Sequence, residues 1–287
     1  MHESIKGARA SGGGSVTNAA VRAIFLDIDG TIVGASNTVS PRVREAIRRA
    51  REGGCEVVLC TGRSRVTAQP IADQLGFRGH AVLSNGAVVM NLGTGELICR
   101  NLLPVPIAVQ AIRVLLREGV TPLVYEDAVE TARILYHPDL PFEIYNPERF
   151  HPWPRMAEDL PFRPACIGCY GAEAELRPVA DRLAAAPPPE TYVEQAGTHA
   201  VWCLEIHHQD SGKCNGLQRV TERLGVRPEE VLAIGDHIND LRMLRFAGIG
   251  VAMGNAVPEV LAGADWITAP LDEDGVAVAI ERFILGA

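Results

Sequence analysis

The stretch AIFLDIDGT at residues 23–31 decides the fold of this chain. A run of apolar residues that ends in acids and a glycine is typical of a short strand buried in a parallel sheet. In an open α/β sheet, the loop at the carboxyl end of such a strand is the usual place for functional side chains. Asp27 and Asp29 lie in that loop, and Gly30 lets the chain turn and bring backbone amides close to an anion.

Strands and helices alternate along both ends of the chain. The patterns predict strands at residues 23–27, 55–60, 81–83, 231–235, 249–252 and 266–268, and helices from Ser40-Pro41 to about 50 and at 65–75, 217–224, 241–246 and 276–284. Such alternation implies parallel strands joined by right-handed crossovers. We therefore predict an α/β fold with a Rossmann-like, doubly wound parallel sheet as its core.

The middle of the chain has a different character. Residues 88–204 are richer in proline and aromatics, with a predicted hairpin at 88–99 and helices at 107–118 and 177–186. We predict an α+β domain at 88–204 inserted into a core formed by 23–87 and 205–287. Residues 1–22 have no apolar secretory segment, and we expect them to be a flexible leader.

Composition bounds the function. The chain has 287 residues and a formal net charge of −8, which argues against nucleic acid or an anionic membrane as a partner. No run approaches the roughly 20 apolar residues of a membrane span. The seven cysteines are scattered, and the lone pair Cys166 and Cys169 has no second pair with which to complete a zinc site. Reduced thiols and a cytoplasmic location are therefore expected.

Two further polar clusters suit phosphate binding. Thr61, Gly62 and Arg63 follow a predicted strand, so that a hydroxyl and loop amides can grip phosphate oxygens. Lys213, in the segment SGK at 211–213, could neutralise charge on a transferred phosphoryl group. Taken singly, each cluster could also be an ordinary surface turn.

A fourth cluster suits a metal ion. The segment GDHIND at 235–240 follows an apolar strand, and Asp236, Asn239 and Asp240 supply the hard oxygen ligands that Mg²⁺ prefers. Acidic turns without a metal are common, so this segment alone does not decide the matter. The order of all four clusters, each at the end of an element in an alternating pattern, favours one shared site.

In these motifs the sequence resembles the haloacid dehalogenase superfamily, and specifically its Cof-like, type IIB hydrolases. DIDGT, TGR, the SGK lysine and GDxxND occur in the family's order, and AGIGVAMGNA at 247–256 is close to the end of the subgroup's core. SNGA at 84–87 matches the entry to the type C2 cap domain of that subgroup. Two positions depart from the subgroup, namely His237 in place of asparagine and Cys214 in place of glycine.

The resemblance implies a Mg²⁺-dependent phosphatase acting on small phosphorylated metabolites through an aspartyl-phosphate. It implies that Asp27 is the nucleophile, that Asp29 is the general acid and base, and that Thr61 and Lys213 hold the phosphoryl oxygens. Mg²⁺ would be bound by Asp27, the backbone carbonyl of Asp29, and Asp236. The remaining candidates would contact the substrate or support these groups: Gly30, Gly62, Arg63, Asn85, Asn239 and Asp240.

Two alternatives stay open at this point, a phosphomutase of the same superfamily and a regulator that binds metal and phosphate without catalysis. The sequence names neither the metabolite nor the oligomeric state. The insert is expected to be a mobile cap that selects the substrate, with hinges at Asn85-Gly86 and near 203–205. The candidate specificity residues are Tyr125, Glu126, Arg133, Tyr136 and His137, with His207 and His208 as a second set.

Overall fold

A computed structural model of the protein describes residues 20–126, 129, 132–139, 147–197 and 202–286. Of the predicted leader, residues 1–19 lie outside the described residues. The described strands are β1 (Ala23–Leu26), β2 (Glu56–Cys60), β3 (His80–Leu83), β4 (Val88–Asn91), β5 (Leu97–Arg100), β6 (Leu123–Tyr125), β7 (Ile134–Tyr136), β8 (Phe150–Pro152), β9 (Cys166–Gly171), β10 (Thr191–Gly197), β11 (Trp202–His208), β12 (Val231–Gly235), β13 (Ile249–Ala252) and β14 (Trp266–Ile267). The described helices are α1 (Pro41–Glu52), α2 (Arg65–Gln74), α3 (Val105–Arg117), α4 (Glu173–Ala185), α5 (Lys213–Leu224), α6 (Leu241–Phe246), α7 (Pro258–Gly263) and α8 (Gly275–Ile280).

Eight of the described strands form the larger sheet, in the order β14-β13-β12-β1-β2-β3-β4-β5. The pairs from β14 to β3 are parallel, whereas β4 and β5 are antiparallel to their neighbours. Ile24 and Leu26 of β1 pack with residues of α1, α2 and α8, while Ala23 and Phe25 pack with α5, α6 and α7. Because successive strand residues point to opposite faces, helices cover both sides of this sheet. The predicted doubly wound α/β core is confirmed.

Local sequence explains where the first helix begins. The hydroxyl of Ser40 accepts a hydrogen bond from the backbone N–H of Val43. Pro41 lies in the first helical turn, where a backbone N–H has no partner within the helix, so the N–H that proline lacks is not missed. The buried residues Val43, Ala46, Ile47 and Ala50 then form one apolar stripe toward the sheet. This helix follows the strand that carries Asp27, so its packing fixes the position of the loop between them.

Six of the described strands form a second, smaller sheet in the order β10-β11-β9-β6-β7-β8. Helices α3 and α4 cover one face of it, with Ile112, Leu115 and Leu176 packed on Ile167 and Leu204 in a separate apolar core. Since one face is apolar and covered by helices, the side chains on the other face are free to line a cavity. The insert is therefore an α+β unit with its own core.

The structure moves both predicted boundaries of the insert. The hairpin β4–β5, which was assigned to the insert from residue 88, pairs with β3 and extends the larger sheet instead. Strand β11 continues to His208 in the smaller sheet, past the predicted end at residue 204. The apolar run Val88-Val89-Met90 suits a core strand as well as a cap strand, so the composition of the segment could not place the boundary.

The two connections between the sheets run side by side at residues 101–104 and 209–212. Asn101 donates a side-chain hydrogen bond to the carbonyl of Asp210 at 2.9 Å, and the hydroxyl of Ser211 donates to the carbonyl of Asn101 at 3.2 Å. The predicted hinges at Asn85-Gly86 and 203–205 are wrong, since the former precedes β4 of the larger sheet and the latter lies within β11. These paired connections replace them as the candidate hinge.

Some helix ends differ from the prediction. Helix α5 begins at Lys213 rather than at residue 217, with Gly212 before it at a φ of 120° that favours glycine. Helix α4 begins at Glu173 rather than at 177, and it includes Pro178. No helix in the described part of the chain is long and apolar enough to cross a membrane.

Candidate active site

The candidate site lies where the carboxyl ends of four neighbouring strands meet. Asp27 follows β1, Thr61 follows β2, Ser84 follows β3 and Asp236 follows β12, and these strands are adjacent in the larger sheet. A cavity of about 630 Å³ lies between this edge and the smaller sheet. Its lining includes the sequence-predicted residues Asp27, Asp29, Gly30, Gly62, Arg63, Asn85, Lys213, Asp236 and Asn239. The sequence motifs therefore converge on one cavity.

Lys213 lies buried between two carboxylates at the floor of the cavity. Its Nζ donates to Oδ1 of Asp27 and to Oδ1 of Asp240, each at 2.7 Å. Burial opposes the charge of Lys213, but Asp240 and Asp27 outweigh it and raise the pKa of the ammonium. The lysine is therefore positively charged, and the two carboxylates fix its position. Without them, a charge buried at this depth would be strongly unfavourable.

Asp240 supports the site without lining the cavity. Its Oδ2 accepts hydrogen bonds from the backbone N–H groups of Asp236 and His237, both at 3.0 Å, while its Oδ1 accepts from Lys213. Asp240 lies near Asp27 and Asp236 in a cluster of possible metal ligands. Since both of its oxygens are already engaged, we interpret Asp240 as the anchor of Lys213 and of the Asp236 loop.

The charges at this edge are not balanced by the lysine alone. Burial raises the pKa of Asp27 well above its usual range although Lys213 opposes the shift, and burial raises the pKa of Asp236 to about 6. Among the described residues, Lys213 forms ion pairs with Asp27 and Asp240, and Asp236 lies close to both of these carboxylates. An additional cation beside Asp27 and Asp236 would favour their ionised forms.

Gly30 brings the acidic loops together. Its φ is +81°, and a Cβ at this position would lie 2.2 Å from Oδ2 of Asp236, so that no larger residue fits. Thr31 donates to Oδ1 of Asp236 at 2.9 Å, which orients that carboxylate. Hard carboxylate oxygens at this separation are a donor set that suits a divalent cation. The acidic cluster can therefore hold a metal ion.

Asp29 lies at the rim of the cavity with its side chain 58% exposed. Arg63 donates to both of its carboxylate oxygens, from Nε to Oδ2 and from Nη2 to Oδ1. Arg63 also bonds to the side chain of Asn37. The TGR and DIDGT segments, predicted separately to be functional, are thus joined by an ion pair.

Asn85 ties three loops of the site together. Its N–H donates to the carbonyl of Thr61 at 3.0 Å, its own carbonyl accepts from Gly212 at 2.6 Å, and its side-chain Oδ1 accepts from Asn239 at 3.2 Å. Ser84 and Asn85 both have positive φ angles, 47° and 49°, a backbone conformation that non-glycine residues rarely adopt. This conformation places Asn85 where the core loops and the insert meet.

Thr61 is the predicted residue that fits its role least directly. It is fully buried, and its hydroxyl accepts a hydrogen bond from the N–H of Arg63 at 3.0 Å. It is not among the described residues that line the cavity, whereas its neighbours Gly62 and Arg63 are. The phosphate-holding role of Thr61 stays a prediction.

The insert supplies the opposite wall of the cavity. Of the predicted specificity residues, Tyr125, Glu126, Arg133 and His207 line the cavity, whereas Tyr136, His137 and His208 are not among its described lining residues. Sequence reasoning missed several further lining residues, among them Tyr170, Glu194 and Glu205. A signal for Glu205 existed, because the alternation in β11 places Glu205 and His207 on one strand face and Leu204 and Ile206 on the other.

This fold and this site define a class. A sequence profile of haloacid dehalogenase-like hydrolases matches residues 24–280, and the chain belongs to that family. The predicted membership, with its Cof-like subgroup, and the prediction of a hydrolase are thereby confirmed.

Individual relatives span nearly the whole chain. The 5-amino-6-(5-phospho-D-ribitylamino)uracil phosphatase YcsE of Bacillus subtilis strain 168 is 30% identical, over 92% of this chain and 96% of its own. The pyridoxal phosphate phosphatase YbhA of Escherichia coli strain K12 is 29% identical, over 92% of this chain and 99% of its own. The crystal structure of a haloacid dehalogenase-like hydrolase from Bacteroides thetaiotaomicron has a TM-score of 0.75 and 31% identity, over 91% of this chain and 99% of that one.

Proposed function

We propose that this protein is a Mg²⁺-dependent phosphatase that hydrolyses small phosphorylated metabolites through an aspartyl-phosphate on Asp27. The observation that carries the proposal is the buried Lys213, which bridges Asp27 and Asp240 at the floor of a cavity that Asp29 and Asp236 also line. A carboxylate held beside a fixed ammonium is a group that can attack a phosphate whose negative charge the ammonium offsets.

In the first step, a carboxylate oxygen of Asp27 attacks phosphorus and the bond from phosphorus to the substrate oxygen breaks. Lys213 holds Oδ1 of Asp27 and so fixes the direction of the carboxylate. Asp29 protonates the departing oxygen, so that the product leaves as an alcohol. Positioning and charge stabilisation supply most of the acceleration in reactions of this kind.

In the second step, Asp29 takes a proton from a water molecule whose oxygen attacks the phosphorus of the aspartyl-phosphate. The bond from phosphorus to Asp27 breaks, phosphate is released and the carboxylate is restored. One carboxyl group thus serves as acid and then as base. The exposed rim position of Asp29 suits this exchange, because both the leaving group and the water arrive from the cavity.

Asp27 and Asp236 would hold Mg²⁺ with the backbone carbonyl of Asp29, and Asn239 lies beside them in the cavity lining. The ion, when bound, lowers the repulsion between the anionic nucleophile and the anionic phosphate. The fit rests on the under-compensated charges of Asp27 and Asp236 described above, and on the buried Oδ1 of Asn239, which has no hydrogen-bond partner among the described residues.

The size of the cavity and the names of the relatives support the proposed substrate class. A cavity of about 630 Å³ accommodates a small metabolite. Related phosphatases are named for a phosphorylated ribitylaminouracil and for pyridoxal phosphate, so phosphorylated cofactors, their precursors and sugar phosphates form the panel to screen.

The test is that screen, with p-nitrophenyl phosphate as the general substrate and Mg²⁺ present. Asp27→Asn keeps the shape of the side chain but removes the attacking charge, and we expect turnover to fall by at least ~10³, or about 4 kcal/mol of barrier. Asp73→Asn, a change of the same kind on the exposed face of α2, is the matched control and should retain activity. Near wild-type turnover in Asp27→Asn would overturn the mechanism.

A further inference from the structure

The polar face of the smaller sheet presents an acidic cluster to the cavity. Glu194 on β10 and Glu205 on β11 are paired across the two strands, and His207 lies two residues further along β11 on the same face. All three line the same cavity as Asp27. The proposed phosphatase mechanism assigns no task to any of them.

Glu205 and His207 bind each other firmly. Nε2 of His207 lies 2.9 Å from Oε2 of Glu205, which also accepts from the side chain of Asn85 at 3.1 Å. The hydroxyl of Tyr170 donates to Oε1 of Glu205 at 3.2 Å. Both oxygens of Glu205 are therefore engaged as acceptors, and because the partner of His207 is a carboxylate, Nε2 of His207 carries the proton.

Glu194 is not satisfied in this way. Its Oε2 is a buried atom without a hydrogen-bond partner among the described residues, and Nε2 of His207 lies 3.6 Å away and already donates to Glu205. Burial raises the pKa of Glu194, which indicates that its neighbours do not fully compensate its charge. A buried acceptor left without a donor is energetically unfavourable, because it has lost its hydrogen bonds to water.

The charges of Glu194, Glu205 and His207 also indicate that the cluster can accept a cation. Even with His207 protonated, two carboxylates face one imidazolium. In the described part of the chain, no lysine or arginine lies within ion-pair distance of Glu194 or Glu205. Arg63 pairs with Asp29, Arg133 with Glu126, and Lys213 with Asp27 and Asp240. The remaining arginine of the cavity lining, Arg149, donates from Nε to the carbonyl of Ala132. The cluster thus has room for one more positive charge that also donates a hydrogen bond.

We propose that Glu194, with Glu205 and His207 beside it, is a specificity-determining residue that binds a protonated amine on the leaving group of the substrate. The preferred substrates are then phosphate monoesters whose alcohol part carries an ammonium or a protonated ring nitrogen. This inference rests on the proposed function, because it assigns amine binding to the part of the catalytic cavity that faces the leaving group.

Two other occupants fit the cluster less well. Glu194, Glu205 and His207 could together hold a metal ion, but the ion would have to displace the proton on Nε2 of His207 and with it the hydrogen bond to Glu205. A hydroxyl could donate to Oε2 of Glu194 but would leave the negative charge uncompensated. An ammonium group supplies both the donor and the charge, and charge-assisted hydrogen bonds are about twice as strong as neutral ones.

The experiment compares glucosamine 6-phosphate with glucose 6-phosphate, which differ only in an amine and a hydroxyl. We expect kcat/KM to favour the amine by about tenfold or more in the wild type, which corresponds to ~1.4 kcal/mol. Glu194→Gln keeps the shape and removes the charge, and it should bring the ratio close to one. Glu190→Gln, the same change at an exposed residue just before β10, should leave the ratio as it is.

The ratio of the two sugars isolates recognition of the amine, since a change in phosphoryl chemistry affects both substrates alike. Equal kcat/KM values in the wild type, or a preference that survives in Glu194→Gln, would overturn the inference while leaving the phosphatase proposal intact.

If no phosphate ester is hydrolysed, the phosphatase proposal fails and binding decides the inference instead. Titration calorimetry of the two sugar phosphates with the full-length protein and Mg²⁺ then gives the Kd ratio. A preference for glucosamine 6-phosphate that Glu194→Gln abolishes supports the inference, and equal Kd values contradict it.

Discussion

Arg63 donates to both carboxylate oxygens of Asp29, from Nε at 2.8 Å and from Nη2 at 2.5 Å. The pair joins two motif loops. It is bidentate, and the side chain of Arg63 is only 18% exposed although that of Asp29 is 58% exposed, so Arg63 holds Asp29 more firmly than an ordinary surface ion pair would. Asp29 has to give up at least one of these hydrogen bonds when it turns to a reacting oxygen. Its carboxylate nevertheless lies at the rim of the cavity, where both the leaving group and the attacking water arrive.

Asp29→Asn should separate the two steps of the proposed reaction. Nitrophenolate leaves without protonation, so p-nitrophenyl phosphate should still phosphorylate Asp27, while hydrolysis of the aspartyl-phosphate slows by about 10²–10⁴ because its general base is lost. Rapid-mixing kinetics should then show a burst of one nitrophenolate per active site, followed by a slow steady rate. A sugar phosphate, whose alkoxide needs a proton, should give no burst. A wild-type steady rate in this variant would remove Asp29 from the mechanism.

Asp240→Asn tests the anchor of the site. Asp240 uses one oxygen for Lys213 and the other for the N–H groups of Asp236 and His237, whereas asparagine has only one acceptor oxygen. At least one buried donor loses its partner, so we expect the free energy of unfolding to fall by at least ~1–3 kcal/mol. Urea unfolding measures this, with the exposed Asp272→Asn as control. Equal stability of the two variants would show that Asp240 is not an anchor.

Metal removal should affect both activity and stability. EDTA should abolish hydrolysis and Mg²⁺ should restore it, while Ca²⁺ should inhibit because its larger and looser coordination misaligns the attack. Mg²⁺ should also raise the thermal midpoint of the wild type, since binding to the folded state alone stabilises it. Asp236→Asn should lose most of that shift. Full activity in chelator, or a shift that Asp236→Asn retains, would contradict the assignment.

His207 should make stability depend on pH. Burial opposes its charged form, but the hydrogen bond to Glu205 and the charges of Glu205 and Glu194 outweigh it, so the pKa of His207 is raised above its ordinary value. The folded state then holds the proton more tightly than the unfolded chain, where the imidazole titrates near ~6.5. The contribution of His207 is therefore fully present below that pH and is lost as the pH rises through the folded-state pKa.

Urea unfolding of the wild type and of His207→Gln at several pH values measures this contribution. The difference in unfolding free energy between the two should shrink as the pH rises. His151→Gln, at an exposed histidine on β8, provides the control and should show no such trend. A difference that is constant or grows with pH would contradict the raised pKa.

The core of the protein could be predicted from the sequence because each element carries a strong local signal. The apolar strand before Asp27 and the capped start of α1 at Ser40 are of this kind, and both occur as predicted. The rule that side chains at the carboxyl ends of parallel strands meet at one edge then places Asp27 near Asp236, although they lie far apart in the chain.

The insert could not be predicted to the same depth. The apolar residues of the hairpin β4–β5 would suit either sheet. Only the pairing of β4 with β3 shows that the hairpin belongs to the larger sheet. The proposed role of Glu194 depends on its register against β11 and on Oε2 having no hydrogen-bond partner among the described residues, and no local pattern encodes either feature. Pairing between strands that are distant in the sequence determines sheet membership and register, which sequence periodicity alone does not.

The paired connections at residues 101–104 and 209–212 have a consequence for how such a protein can change over evolutionary time. Because Asn101 bonds directly to Asp210 and Ser211, the chain leaves the larger sheet and returns to it at a single point. For the stability of the larger sheet, the residues between these two connections act as one long loop. The entropic cost of closing a loop grows only slowly with the length of the loop. Residues of the insert can be lost, gained or exchanged with little effect on the stability of the sheet that carries Asp27. New substrates can therefore be acquired while the phosphate chemistry stays as it is.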